Sequence, residues 1–183
     1  MPKMNRFPLT TALCLALTGT VSASEGPVQD NFAAKPAPQM LSRDAQGALV
    51  CQTVTDWAAY QVSTLLRDDA RENQAISSEG MQILRQIRLT EGLASAAFEK
   101  LAPEADHDAI YKDAVSKMQA YLKEDHDGAD ANTKQLVPVC QQTYSQMAAS
   151  GALSQQQVQL ANDASRESVA KLAQELQGAA IPH

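Results

Sequence analysis

Little in this chain is equipped to do chemistry by itself. Its 183 residues hold three cysteines and three histidines. None of the six stands at zinc-ligand spacing, in a C-x-x-C redox pair or in a C-x-x-C-H haem attachment. The eight glycines are scattered over caps and turns, so no phosphate-cradling loop is formed. G-x-S-x-G is missing, and with it the nucleophile elbow of serine hydrolases. Asp68 and Asp69 are adjacent, and neighbours on a helix point apart, which leaves a glycosidase carboxylate pair without support. No cofactor is expected. Positive charge is also in short supply: 15 basic against 21 acidic residues, a formal net charge of −6. That balance argues against nucleic acid and anionic membrane surfaces, both of which select basic patches.

What is present begins with a leader at residues 1–23. Lys3 and Arg6 precede the apolar run LTTALCLALTG, and Val21-Ser22-Ala23 has the small-residue pattern of a processing site. The run is too short to span a bilayer, and no later stretch approaches that length. The expected compartment is the periplasm, with secretion as the alternative, and no membrane insertion once the leader is gone. Removing Lys3 and Arg6 lowers the formal charge from −6 to −8. Residues 24–41 hold Pro27, Pro36 and Pro38 and read as an extended linker, with Phe32 an isolated aromatic.

Cleavage would discard Cys14 and leave Cys51 and Cys140. Two cysteines in an oxidising compartment are most simply a disulfide. Both fall on the apolar faces of helical stretches. Two buried free thiols are the plainer alternative.

Residues 42–178 read as a single helical domain. The first helix is expected near Ser42, with Val50, Cys51, Val54, Trp57, Ala58, Val62 and Leu65 inward. Gln52, Asp56, Tyr60 and Ser63 fall outward. A second, capped by Ser77, carries Ile83, Leu84, Ile87, Ala94, Phe98 and Leu101 and ends at Pro103. Gly92 within it marks a candidate close helix contact. A third, capped near Asp106, buries Ile110, Tyr111, Ala114, Val115, Met118 and Leu122. A fourth is expected from residues 130–132, with Leu136, Val139, Cys140, Tyr144 and Met147 inward, and Pro138 predicts a kink or a later start. Ser150-Gly151 ends it. The fifth opens on the capping box Ser154 to Gln157. Its stripe of Val158, Ala161, Ser165, Val169, Leu172 and Leu176 is thin, so it is expected to be the least protected helix. The fold class is all-α: an antiparallel four-helix bundle with an additional C-terminal helix and one disulfide.

The acid cluster at residues 124–132 invites a calcium reading. Counting from Gly128, the EF-hand ligand positions hold Lys123 and Lys134, so the pattern fails at both ends. No metal is expected, and Asp125, Asp127 and Asp130 are all that remains of an irregular oxygen site. The plainer reading is a polar turn between helices. Met81, Met118 and Met147 are core fillers before they are haem ligands. Candidate binding residues are Gln61 inside the first helix's apolar stripe and Glu91 at the edge of the second's, together with Trp57 and Tyr144. The expected function is a non-enzymatic binding protein, inhibitor-like, immunity-like or chaperone-like, with another protein as partner. Self-association would run through the C-terminal helix. The alternative is a small-ligand carrier or enzyme with a pocket near Gln61 and Glu91.

Overall fold

The computed structural model describes residues 41–72 and 76–179. The leader and all of the linker except Leu41 lie outside the described residues, as do positions 73–75 and 180–183. Among the described residues every regular element is a helix: α1 Arg43–Arg71, α2 Ser78–Leu101, α3 His107–Glu124, α4 His126–Ala149 and α5 Gln155–Ala179. None is long and apolar enough to cross a membrane.

The ends of the helices follow from local chemistry. The first amides of a helix lack intrahelical acceptors, and a short polar side chain supplies one. Ser42 Oγ accepts from Ala45 N at 3.2 Å, Ser77 Oγ from Gly80 N at 3.0 Å, and Asp106 Oδ1 from Ala109 N at 3.0 Å. At α5 the box closes both ways: Gln157 N donates to Ser154 Oγ, and Ser154 N donates to Gln157 Oε1 at 2.9 Å. α2 stops short of Pro103. α4 stops at Ser150, where Gly151 takes a φ of 74° that side chains disfavour.

One boundary differs from expectation. α4 begins at His126, so the acid cluster is not an extended turn, and Asp125 alone separates α3 from α4. Its backbone N–H donates to Tyr121 O at 2.9 Å and its carboxylate accepts from Gly128 N at 3.0 Å. A single residue thus closes one helix and opens the next. Pro138 lies inside α4 and does not delay its start.

Cys51 and Cys140 form a disulfide with their Cα atoms 5.6 Å apart, tying α1 to α4. A crosslink closing 89 positions removes on the order of 4–5 kcal/mol of unfolded-state freedom in the chain-entropy model.

The core is centred on α1 and α2, and α5 belongs to it. Ala58, Ala59, Leu66 and Ala70 of α1 cluster with Leu84 and Ile87 of α2 and with Leu172 and Leu176 of α5. α5 is therefore part of the core despite its thin stripe. Small residues make its approach close: an added Cβ on Gly92 would lie 3.0 Å from the Cβ of Ala161 and 3.2 Å from its Cα.

Small and hydroxylated residues also explain which faces turn inward. Thr53, Ser63, Thr90 and Thr133 are buried, and each hydroxyl donates to the carbonyl four residues back. A back-bonded hydroxyl has its polarity satisfied and can enter the interior. Ser63, expected outside, is consequently buried, while Leu65, expected inside, is 65% exposed. Ile83, Leu101 and Val139 are exposed too. α3 is embedded less deeply than expected: of its six inward candidates Ala114 and Leu122 are buried and the other four are half-buried.

Candidate functional site

The thin attachment of α3 leaves an open trough of about 420 Å³ along α1, lined by Asp56, Trp57 and Tyr60 on one wall and Val115, Met118 and Leu122 on the other. These α1 residues share a wall because positions three and four apart lie on one helix face. The Trp57 and Tyr60 rings stack with centroids 5.3 Å apart. Tyr60 is 56% exposed. The Trp57 indole N–H is buried and has no hydrogen-bond acceptor among the described residues.

Asp56, a carboxylate in the trough lining, belongs to a charged cluster with Arg88 and Glu91. Arg88 Nη1 donates to Asp56 Oδ1 at 2.8 Å and to Glu91 Oε2 at 2.6 Å. Burial pushes the Glu91 carboxyl above its ordinary range, and Arg88 offsets part of that shift. Burial works against charge on Arg88, yet Glu91 and Asp56 together outweigh it and hold the guanidinium above its usual value. Tyr111 of α3 lies near Asp56. Its burial and then the nearby carboxylates raise the phenol above its usual range. At neutral pH it is a donor.

The residues singled out by sequence are not brought together. Gln61 donates to the Asp130 carboxylate across α1 and α4, and Lys134 pairs with the same group at 3.0 Å. The Gln61 and Lys134 hydrogen bonds lower the pKa of Asp130. Glu91 lies instead in the Arg88 cluster and lines a separate polar cleft, whose lining does not include Gln61. Tyr144 is buried, its phenol pushed up to about 12 by burial and by Asp44. Trp57 alone of the four reaches the trough. Asp125, Asp127 and Asp130 do not converge: Asp125 caps α4, the Asp127 side chain is fully exposed, and Asp130 holds Gln61 and Lys134. Among the described residues no group of three or more His, Cys, Asp or Glu is placed to hold a metal ion. Met118 lines the trough and Met81 packs against the core cluster.

Arg88, Asp56 and Tyr111 were not legible as a site. The Arg88–Glu91 spacing of three is a readable helical pair. The Asp56–Arg88 bond spans 32 positions, and nothing local announces it.

A scan of protein-family models and searches of curated proteins and of solved structures find no match to this chain.

Proposed function

We propose that this is an exported, periplasmic, non-enzymatic binding protein, and that the trough between α1 and α3 receives an amphipathic segment of another protein. In this reading the helices alternate in direction, as their short connections favour, and present α3 as a movable wall. The observation that carries the reading is the trough itself: an apolar, open surface with a stacked tryptophan–tyrosine pair at its edge. Aromatic side chains in such positions supply much of the energy of protein interfaces. The acidic chain favours a basic partner, since complementary charge speeds encounter and rejects like-charged competitors. Inhibition of an exported protein, immunity to one, or holding of an unfolded client would all use this surface.

Self-association through α5 is a weaker form of the same proposal. Leu172 and Leu176 are buried in the core, and Leu160 is the large apolar side chain that α5 leaves exposed. A carrier or enzyme centred on Gln61 and Glu91 is the less favoured reading, because Gln61 is bonded to Asp130 while Glu91 lies in the Arg88 cluster.

Met118→Glu places a charge in the trough without touching the core. In periplasmic extract the wild-type protein is expected to capture a partner that the variant, with an unchanged melting temperature, does not. Trp57 is the sole tryptophan, so its emission should shift on adding the purified partner. Equal capture by both proteins, or partner binding without an emission change, contradicts the trough as the docking site. Export is checked separately: the mature chain should begin within two residues of Ser24, and recovery of chain starting at Met1 contradicts it.

A further inference from the structure

A second opening lies on a different face, over α2 and against α5. It is a cleft of about 320 Å³, and its lining is more polar than that of the trough. Gln52, Arg88, Glu91 and Ser95 face Ser165 and Ser168 of α5. The close Gly92–Ala161 approach fixes the separation of its walls. Two atoms of its lining side chains, Gln52 Oε1 and Arg88 Nε, are buried without a hydrogen-bond partner among the described residues. One is an acceptor in want of a donor, the other a donor in want of an acceptor. Both atoms are closed to solvent, so an occupant meets them only when the Gln52 and Arg88 side chains turn toward the cleft. Unsatisfied buried polar atoms are costly and uncommon in folded proteins.

The charges narrow the class of occupant. Two carboxylates, Asp56 and Glu91, share the single Arg88 guanidinium, so the ionised cluster carries one surplus negative charge. A carboxylate or phosphate ligand at Arg88 would make a third anion around one cation. A neutral hydroxyl or carbonyl there would not. A cationic ammonium, by contrast, balances the surplus and supplies the donor that Gln52 Oε1 lacks. A smaller neighbouring cleft of about 140 Å³ shares Arg88 and Ser168 and contains Lys171. Arg67 in that cleft is paired with Glu175 at 3.1 Å. No aromatic side chain lines either cleft, so a flat apolar ligand gains nothing by entering.

We propose that the α1–α2–α5 cleft is a binding site for a small hydroxylated primary amine, its ammonium held by Glu91 and Gln52 and a neutral oxygen held by Arg88 Nε–H. This site is independent of the trough, and its test does not involve the partner protein. The probes are glucosamine, glucose and glucuronate, matched in size and differing in charge, each titrated into the full mature protein while amide and Arg Nε resonances are followed by NMR. Glucosamine is expected to give saturable shifts at Gln52, Gly92, Ser95 and Arg88 Nε, with at least tenfold weaker responses to glucose and glucuronate. Ser168→Leu fills the cleft from the α5 side and should abolish the glucosamine response. Gln52→Leu should weaken it, and the melting temperature of each variant reports that it is folded. Equal responses to all three sugars, shifts confined to the trough, or no saturable response to glucosamine would each overturn the proposal.

Discussion

α5 packs against α2 and α1, α3 against α1 and α4, and the two are attached in opposite ways. By sequence α3 is the richer helix, with Ile110, Tyr111, Val115, Met118 and Leu122, yet it buries only Ala114 and Leu122. α5 offers fewer large side chains and buries Ala161, Ser165, Leu172 and Leu176. Closeness of approach makes the difference. Gly92, Ala161 and Ser165 let the α2 and α5 backbones come near enough for Leu172 and Leu176 to enter the core, and the Ser165 hydroxyl donates to the Arg85 carbonyl of α2 at 2.8 Å. α3 has no such seam. Its large side chains line an open trough, which is why the least embedded helix is also the one nearest the proposed docking surface.

The widest separation between the two helices should appear on truncating their apolar residues. Leu176 is 2% exposed, and Leu176→Ala is expected to destabilise the protein by about 2–5 kcal/mol in denaturant melts. Val115 is half-buried in the trough wall, and Val115→Ala should cost under about 1 kcal/mol. Equal losses would erase the distinction.

The α2–α5 seam can be broken more locally. Gly92→Ala gains helix propensity of about 1 kcal/mol, but its methyl meets the Ala161 backbone, which cannot yield without moving α5. A net loss of roughly 1–3 kcal/mol is expected. At Gly47 in α1 an added methyl would meet no atom within 4 Å, so Gly47→Ala should stabilise by up to about 1 kcal/mol. The two substitutions should therefore differ in sign.

A smaller effect tests the charged cluster between the two openings. Burial raises the Glu91 pKa above its ordinary 4.5, so the folded state holds this proton more tightly than the unfolded chain. The stabilisation it gives is complete below pH 4.5 and is lost as pH rises through the folded value. Glu91→Gln abolishes that titration. The stability of wild type relative to the variant should therefore fall with rising pH across the upper carboxylate range. A flat difference would contradict the burial.

Much of this architecture is written locally. Ser42, Ser77, Asp106 and the Ser154–Gln157 box are caps read from side-chain chemistry, and Pro103 and Gly151 are stops read from backbone chemistry. The disulfide followed from two cysteines on apolar faces. The buried faces were harder, because a stripe drawn through large aliphatic residues overlooks an interior of Ala, Ser and Thr. Ser63 and Leu65 changed places for that reason, and α5 was undervalued for the same one. The Asp56–Arg88–Glu91 cluster needs α1 and α2 already packed, so no single stretch of sequence could show it. Gln61 inside one stripe and Glu91 at the edge of another stand out as polar residues, and each finds a partner, but a different one.

Native-state hydrogen exchange on the free protein tests most directly whether α5 is core and α3 a lightly held wall. Amides around Leu172 and Leu176 should exchange as slowly as those around Ala58 and Ala59 of α1, while amides from Val115 to Met118 should exchange fastest among the helix interiors. The opposite order, with α5 opening first and α3 protected alongside α1, would contradict the account.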